Sequence, residues 1–160
     1  MKDKYFLYVG NAYPHKNLEI LIRASARAQV RVVYVGKDDY FYKKLHIKPS
    51  VNVTDKELAD LYMHAEALVL PSFMEGFALP ALEALSHGCP LIVSDIPVFH
   101  ELLADIPKYF SPYDEAALVA CLKTPPKRTK QFLVHAGHIV QKYSWSHMAT
   151  ETLAVYRGTE

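Results

Sequence analysis

Residues 71–90 read PSFMEGFALPALEALSHGCP, and the residues just before them, Ala67-Leu68-Val69-Leu70, form an unbroken apolar run. A run that short and that uniformly apolar predicts a parallel strand covered on both faces and ended by Pro71-Ser72. The segment then passes through Gly76 into a helix. Pro80 sits in its first turn, where a missing N–H loses no hydrogen bond, and Gly88 marks its end as a left-handed cap. A strand leading through a short loop into a helix N-terminus turns unpaired backbone N–H groups toward the crevice at the strand's C-terminal end, where phosphates are natural guests. At about 3.6 residues per turn, Ala81, Leu82, Ala84 and Leu85 spread over a broad apolar arc, leaving Pro80, Glu83 and His87 on a narrow stripe. A lone Glu on such a stripe ordinarily meets water. Here Glu75 lies just before the helix and Glu83 about one turn inside it, so the two carboxylates are placed to line the mouth of one crevice.

Outward from this segment, strand and helix patterns alternate, which predicts an α/β fold built on a doubly wound, Rossmann-like parallel sheet with helices on both faces. Strands are expected at 5–9, 30–35, 51–53, 91–94 and 109–110, besides the one at 67–70. Helices are expected at 17–28, at 38–45 with Tyr40, Phe41 and Tyr42 packing at its side, and at 97–103. Thr54 and Glu57 form a capping box for a helix to Ala65. Asp114 caps a helix to Leu122, Thr124-Pro125-Pro126 breaks it, and terminal helices follow at 129–142 and 146–157. Trp145 is expected to anchor the last of these by packing. No internal repeat or low-complexity tract interrupts the pattern, so residues 1–160 read as a single domain.

Composition agrees with one compact core: 160 residues, 51% of them hydrophobic. With 18 basic and 17 acidic residues the formal net charge is +1, which gives no sign of a nucleic-acid or anionic-membrane surface. Cys89, beside Gly88 and Pro90, and Cys121, in an alanine-rich stretch, read as buried free thiols in a reducing compartment. No apolar run approaches the roughly 18 residues of a membrane span, and Met1-Lys2-Asp3 begins no signal peptide, so a soluble chain is expected.

The segment EGFALPALE, Glu75 to Glu83, is similar to the E-x7-E motif of the retaining nucleotide-sugar glycosyltransferases often called group 1, or family four. The likeness runs in the family's order from about Tyr5 to Tyr156. The first strand and glycine turn resemble Tyr5 to Gly10, leading to His15-Lys16-Asn17-Leu18; a "D-x-E-L-x-x-L-Y" helix resembles Asp55 to Tyr62. "G-x-P-L-I-x-S-D" resembles Gly88 to Asp95, "P-x-x-x-E" resembles Pro97 to Glu101, and a Ser-Trp pair before the last helix resembles Ser144-Trp145. Order and number make this specific where any one motif would be weak. The resemblance implies the C-terminal, donor-binding half of a two-domain GT-B architecture, which moves a sugar from a nucleoside-diphosphate sugar, GDP-mannose or a UDP-sugar, to a glycan or lipid-linked acceptor. It implies no cofactor and no metal. It implies a cytoplasmic setting, with peripheral association at the inner face of the membrane only through the missing part, and a role in polysaccharide or glycolipid assembly.

Carried over to this chain, the resemblance implies that Glu83 bonds the nucleotide ribose, that Glu75 contacts the donor sugar, and that Lys16 faces the diphosphate. Gly10 and Asn11 would form the first donor-binding loop, and the N–H groups of Gly76, Phe77, Ala78 and Leu79 would hold sugar hydroxyls or phosphate. From the residues alone, Lys16 also reads as an exposed lysine in a first helical turn, unfavourable to the helix dipole. The chain departs from the family in three places. Asn11 stands where a basic residue is usual, which takes one cation from the diphosphate loop. Ala78 stands where a second glycine is usual, a harmless change if its φ is negative and a strained one if positive. Val51-Asn52-Val53 stands where a glycine is usual near the base, so nucleotide identity is not inherited from it.

Other candidates weigh less. His135 and His138 have the i, i+3 spacing of helical metal ligands but no carboxylate or thiol close in sequence, and no metal site is assigned. His15 either faces the diphosphate or is a surface turn residue. Family members are roughly twice as long and bind the acceptor with an N-terminal domain across the cleft, toward which the last helix would pack. The chain is therefore expected to be an excised domain or a subunit completed by a partner, binding nucleotide weakly and transferring little sugar alone. The alternative is a non-catalytic nucleotide-binding or interaction module of the same fold, which Asn11 favours and Glu75, Glu83 and Lys16 oppose. An epimerase or phosphorylase-like enzyme on the same architecture lacks its catalytic signals here.

Overall fold

A computed structural model of the chain describes residues 4–158; Met1-Lys2-Asp3, where a leader would begin, and the last two residues lie outside the described residues. Strands β1 (Phe6–Val9), β2 (Val32–Val35), β3 (Leu68–Leu70), β4 (Leu91–Ser94) and β5 (Lys108–Phe110) form one all-parallel sheet in the order β2-β1-β3-β4-β5. Leu7 pairs with Leu68, Leu68 with Leu91, and Ile92 with Lys108. Every residue of β3 and β4 is buried, which requires cover on both faces of the sheet.

That cover comes from α1 (Leu18–Ala28), α2 (Tyr40–Lys44), α3 (Asp55–His64), α4 (Leu79–Ser86), α5 (Pro97–Leu103), α6 (Glu115–Lys123) and α7 (Lys130–Lys142), each of which buries at least one residue; α8 (Trp145–Arg157) follows them in the chain and buries none. α1 packs on α6 and α4 on α7. Arg23 and Arg27 of α1 both reach Glu115 of α6 at 2.8 Å, and together they hold its carboxyl below the usual range. Five of the starts are set by side chains. Asp39 accepts from the N–H groups of Phe41 and Tyr42, Thr54 and Glu57 close the capping box, and Asp114, Thr129 and Ser144 each accept from a first-turn N–H. Gly88, at φ 65°, ends α4 in the left-handed region as its sequence position predicts.

Two expectations are corrected. No strand forms at 51–53. Ser50 makes one isolated parallel bridge to Val35 on the outer edge of β2, and Asn52 then turns left-handed at φ 55°, which ends the extended run. Trp145 anchors nothing among the described residues: it is 75% exposed and α8 buries no residue. Tyr143, two positions earlier, does the packing, edge-on to Phe77 at 5.6 Å with its hydroxyl donating to the carbonyl of Glu101. In α2, Tyr42 is fully buried, while Tyr40 stays 69% exposed. Cys89 and Cys121 are buried and free as expected.

Candidate functional site

From β1 the chain moves outward to β2, and from β3 it moves the other way, to β4 and β5. The order of the sheet therefore reverses between β1 and β3, and the loops leaving their C-terminal ends diverge to leave a crevice. Residues 10–17 form one wall and residues 71–78 the other. They are tied together: the Phe73 N–H donates to the His15 carbonyl at 2.8 Å. The Asn17 side-chain amide, 9% exposed, donates to the carbonyls of Pro71 at 3.0 Å and of Pro112, after β5, at 2.9 Å. One amide thus binds three loops at the same edge of the sheet.

The first wall is held from beneath by buried phenols. Tyr42 donates to the Gly10 carbonyl at 2.9 Å and Tyr8 to the Asn11 carbonyl at 2.6 Å. Burial pushes both phenols well above their ordinary range, so they remain neutral donors. Gly10 has φ 151°, and a Cβ there would lie 3.1 Å from the Tyr8 hydroxyl, so the turn needs glycine. The Asn11 side chain accepts from the Tyr13 N–H, a local turn contact.

Lys16 does not stand in the first turn of α1 as an exposed lysine. It ends a separate 3-10 turn, Pro14–Lys16, and its side chain is 19% exposed. Its ammonium donates to Oε2 of Glu75 at 2.7 Å, and the fully buried Ser72 hydroxyl donates to Oε1 at 2.6 Å. The Glu75 carboxylate, 7% exposed, is therefore fixed by one donor on each oxygen. An ammonium carries three donors, so Lys16 keeps two for an incoming anion.

Beyond Glu75 the loop enters α4. Among the described residues, the N–H groups of Gly76, Phe77, Ala78 and Leu79 make no hydrogen bond; Ala78 is the N-cap and Leu79 the first residue of the helix, so the last two are open as at any helix start. Ala78 occupies the left-handed region at φ 62° and ψ 57°, so the strained alternative holds. For an alanine this costs about 1–2 kcal/mol. Gly76 has no positive φ, and a Cβ built on it would meet nothing within 4 Å. Neither conformation nor crowding within the chain asks for glycine there, whereas close approach of a ligand to its backbone would. Phe77 and Leu79 are exposed, forming an apolar rim.

Glu83 has a different partner from those of Glu75. Its Oε2 accepts from the hydroxyl of Tyr62 on α3 at 3.0 Å. His87 stacks on the Tyr62 ring at 5.7 Å. The stripe Glu83 and His87 thus faces a phenol as well as solvent. Asn17, Ser72 and Tyr62 carry no individual role in the sequence reading. Ser72 reads there as a strand terminator and Tyr62 as one letter of a helix motif. Nothing local marked Asn17, because its partners lie 54 and 95 positions away. His135 and His138 are exposed on α7, and no group of three or more potential metal ligands occurs among the described residues.

A family model described as "Glycosyl transferases group 1" matches residues 1–122. The O-antigen chain mannosyltransferase RfbU of Salmonella typhimurium is 36% identical over 160 aligned positions, covering 92% of this chain and 45% of that protein. The serotype-specific mannosyltransferase WbdA of Escherichia coli is 45% identical over 123 positions, covering 66% of this chain and 15% of that protein. Among solved structures, sucrose-phosphate synthase from Thermosynechococcus elongatus superposes with a TM-score of 0.81 at 22% identity, over 98% of this chain and 45% of that one. The chain spans less than half the length of each of these proteins.

Proposed function

The chain belongs to the group 1 glycosyltransferases, and on that premise we propose that it is the donor-binding half of a retaining enzyme that transfers a sugar, mannose in the first instance, from a nucleoside-diphosphate sugar to a glycan or lipid-linked acceptor. GDP-mannose is the first donor to test and a UDP-sugar the second. The observation that carries the reading is the placement of Lys16 and the unbonded N–H groups of 76–79 on opposite walls of one switch-point crevice. Departure of a nucleoside diphosphate from an anomeric carbon builds negative charge on phosphate oxygens and positive character on the sugar. Fixed donors and a neighbouring carboxylate stabilise such a pair of charges.

In this account the two remaining Lys16 donors and the opening of α4 hold the diphosphate, Glu83 takes ribose hydroxyls, and Glu75 faces the sugar. Gly10 and Asn11 line the wall beside the phosphates. The departing phosphate accepts the acceptor's proton, so no protein nucleophile and no metal is called for. The acceptor site belongs to the part of a longer enzyme, or to a partner, across the cleft, and any membrane association would come from there. No helix among the described residues is long and apolar enough to cross a membrane. Little turnover is expected of this chain alone. Calorimetric titration with GDP, UDP, ADP and their sugar conjugates tests the proposal. One class should bind, more weakly to Lys16→Ala and Glu83→Ala; absence of binding by a folded sample would overturn it in favour of a non-catalytic module.

A further inference from the structure

We propose that Tyr62 is a positioning residue that orients the Glu83 carboxylate to receive the two vicinal hydroxyls of a ribose. The inference rests on the donor-site reading above and adds to it a residue on a different element, α3. Tyr62 lies in the last turns of that helix with its side chain 1% exposed, yet its hydroxyl emerges where it donates to Oε2 of the exposed Glu83 at 3.0 Å. The phenol is held on several sides. His87 stacks on the ring with 18° between planes, while the His87 Nδ1 sits 2.8 Å from the Glu83 carbonyl. The Arg128 guanidinium donates to the carbonyls of Met63 and Tyr62, pinning the end of α3 beneath. Burial first, and the Glu83 charge second, push the phenol above its ordinary range, so it donates and never competes as an anion.

A glutamate on an exposed helical face samples several rotamers. Bonded through Oε2 to a rigid phenol, it presents Oε1 and the outer lone pairs in one orientation. A carboxylate offers about four acceptor positions, so one bond from Tyr62 leaves enough for a pair of vicinal hydroxyls. Tyr62 itself is too deeply buried to touch the nucleotide. Its effect must pass through Glu83 and be confined to ligands that carry the diol.

The experiment is calorimetric titration of the full chain with the nucleoside diphosphate that binds best and with its 2′,3′-dideoxy analogue, on wild type, Tyr62→Phe, Glu83→Asp, Glu83→Ala and the Tyr62→Phe/Glu83→Ala double variant. Phe keeps the buried ring and its stack on His87. Loss of one orienting hydrogen bond should weaken the ribose ligand about three- to tenfold and leave the dideoxy ligand unchanged. The same substitution should have no effect in the Glu83→Ala background. Glu83→Asp, at an exposed site harmless to folding, withdraws the carboxylate from the phenol by one methylene and should give the same ribose-specific loss. Equal weakening of both ligands by Tyr62→Phe, or no weakening while Glu83→Ala loses only the ribose ligand, would overturn the role of Tyr62. Absence of nucleotide binding by wild type, or indifference of both ligands to Glu83→Ala, would overturn the donor-site reading beneath it.

Discussion

Replacing Lys16 by Met removes the ammonium and keeps the stem, so it isolates the charge. The ion pair it breaks spans 2.7 Å between side chains 19% and 7% exposed. At an effective dielectric of about 20, the gross attraction at that distance is about 6 kcal/mol. Desolvation offsets much of this: exposed pairs contribute about 0–1 kcal/mol, while removing one member of a buried pair costs about 3–5 kcal/mol. A pair this covered should fall between the two ranges and just below the second, about 2–3 kcal/mol, because Glu75 would still keep Ser72 as a donor. For a chain of this size that is a fall in melting temperature of roughly 5–10 °C. The double variant Lys16→Met/Glu75→Gln leaves a neutral amide that still accepts from Ser72, and should recover to within about 1 kcal/mol of wild type. Urea denaturation of the four members of this cycle reads the coupling. A single variant within about 0.5 kcal/mol of wild type, or a double variant no better than the single, would refute the claim that the site is built around a pre-formed, water-shielded ion pair.

Gly76→Ala should leave stability unchanged or raise it by up to about 1 kcal/mol, since the position has no positive φ and open space around it, yet weaken nucleotide-sugar binding at least about tenfold; thermal melting and titration on one sample check both halves. Asn17→Ala orphans two carbonyls and puts alanine at φ 54°, so a cost of about 2–3 kcal/mol is expected by denaturant unfolding, and a midpoint close to wild type would contradict it. Neither buried cysteine should react with iodoacetamide at pH 8 until the chain is unfolded. Burial pushes the Cys89 thiol up to about 12, so above about pH 8.5 the unfolded chain sheds this proton while the folded one keeps it. Its contribution should therefore lower stability progressively between those two values, and Cys89→Ala should flatten that part of the pH profile.

The sheet and most helices were legible because punctuation flanks them. Gly88-Cys89-Pro90 and Asp95-Ile96-Pro97 bracket β4, and α5 occupies the expected positions; Thr54 and Glu57 announce α3. Residues 51–53 misled because alternating valines fit a strand, while the left-handed turn at Asn52 depends on where the chain must go next. Trp145 misled because a large aromatic residue is ordinarily buried, and nothing local says that α8 faces away from this core. At the crevice, Lys16, Glu75 and Glu83 could be named from sequence, but not their partners. The Lys16–Glu75 bond joins positions 59 apart, and the Tyr62–Glu83 bond joins different helices, so both exist only once the sheet is assembled. The positive φ of Ala78 was likewise undecidable from residue type, since the strain is set by the path from β3 into α4.

The position of a bound donor diphosphate decides the function most directly. Backbone amide resonances of the 15N-labelled chain, followed during titration with GDP-mannose and with UDP-glucose, locate it residue by residue. The predicted result is saturable shifts from one of the two, concentrated at Gly76, Phe77, Ala78 and Leu79 with Gly10 and Asn11 across the crevice, and lost in Lys16→Met. Saturable shifts centred elsewhere on the chain, with the amides of 76–79 unmoved, would contradict it.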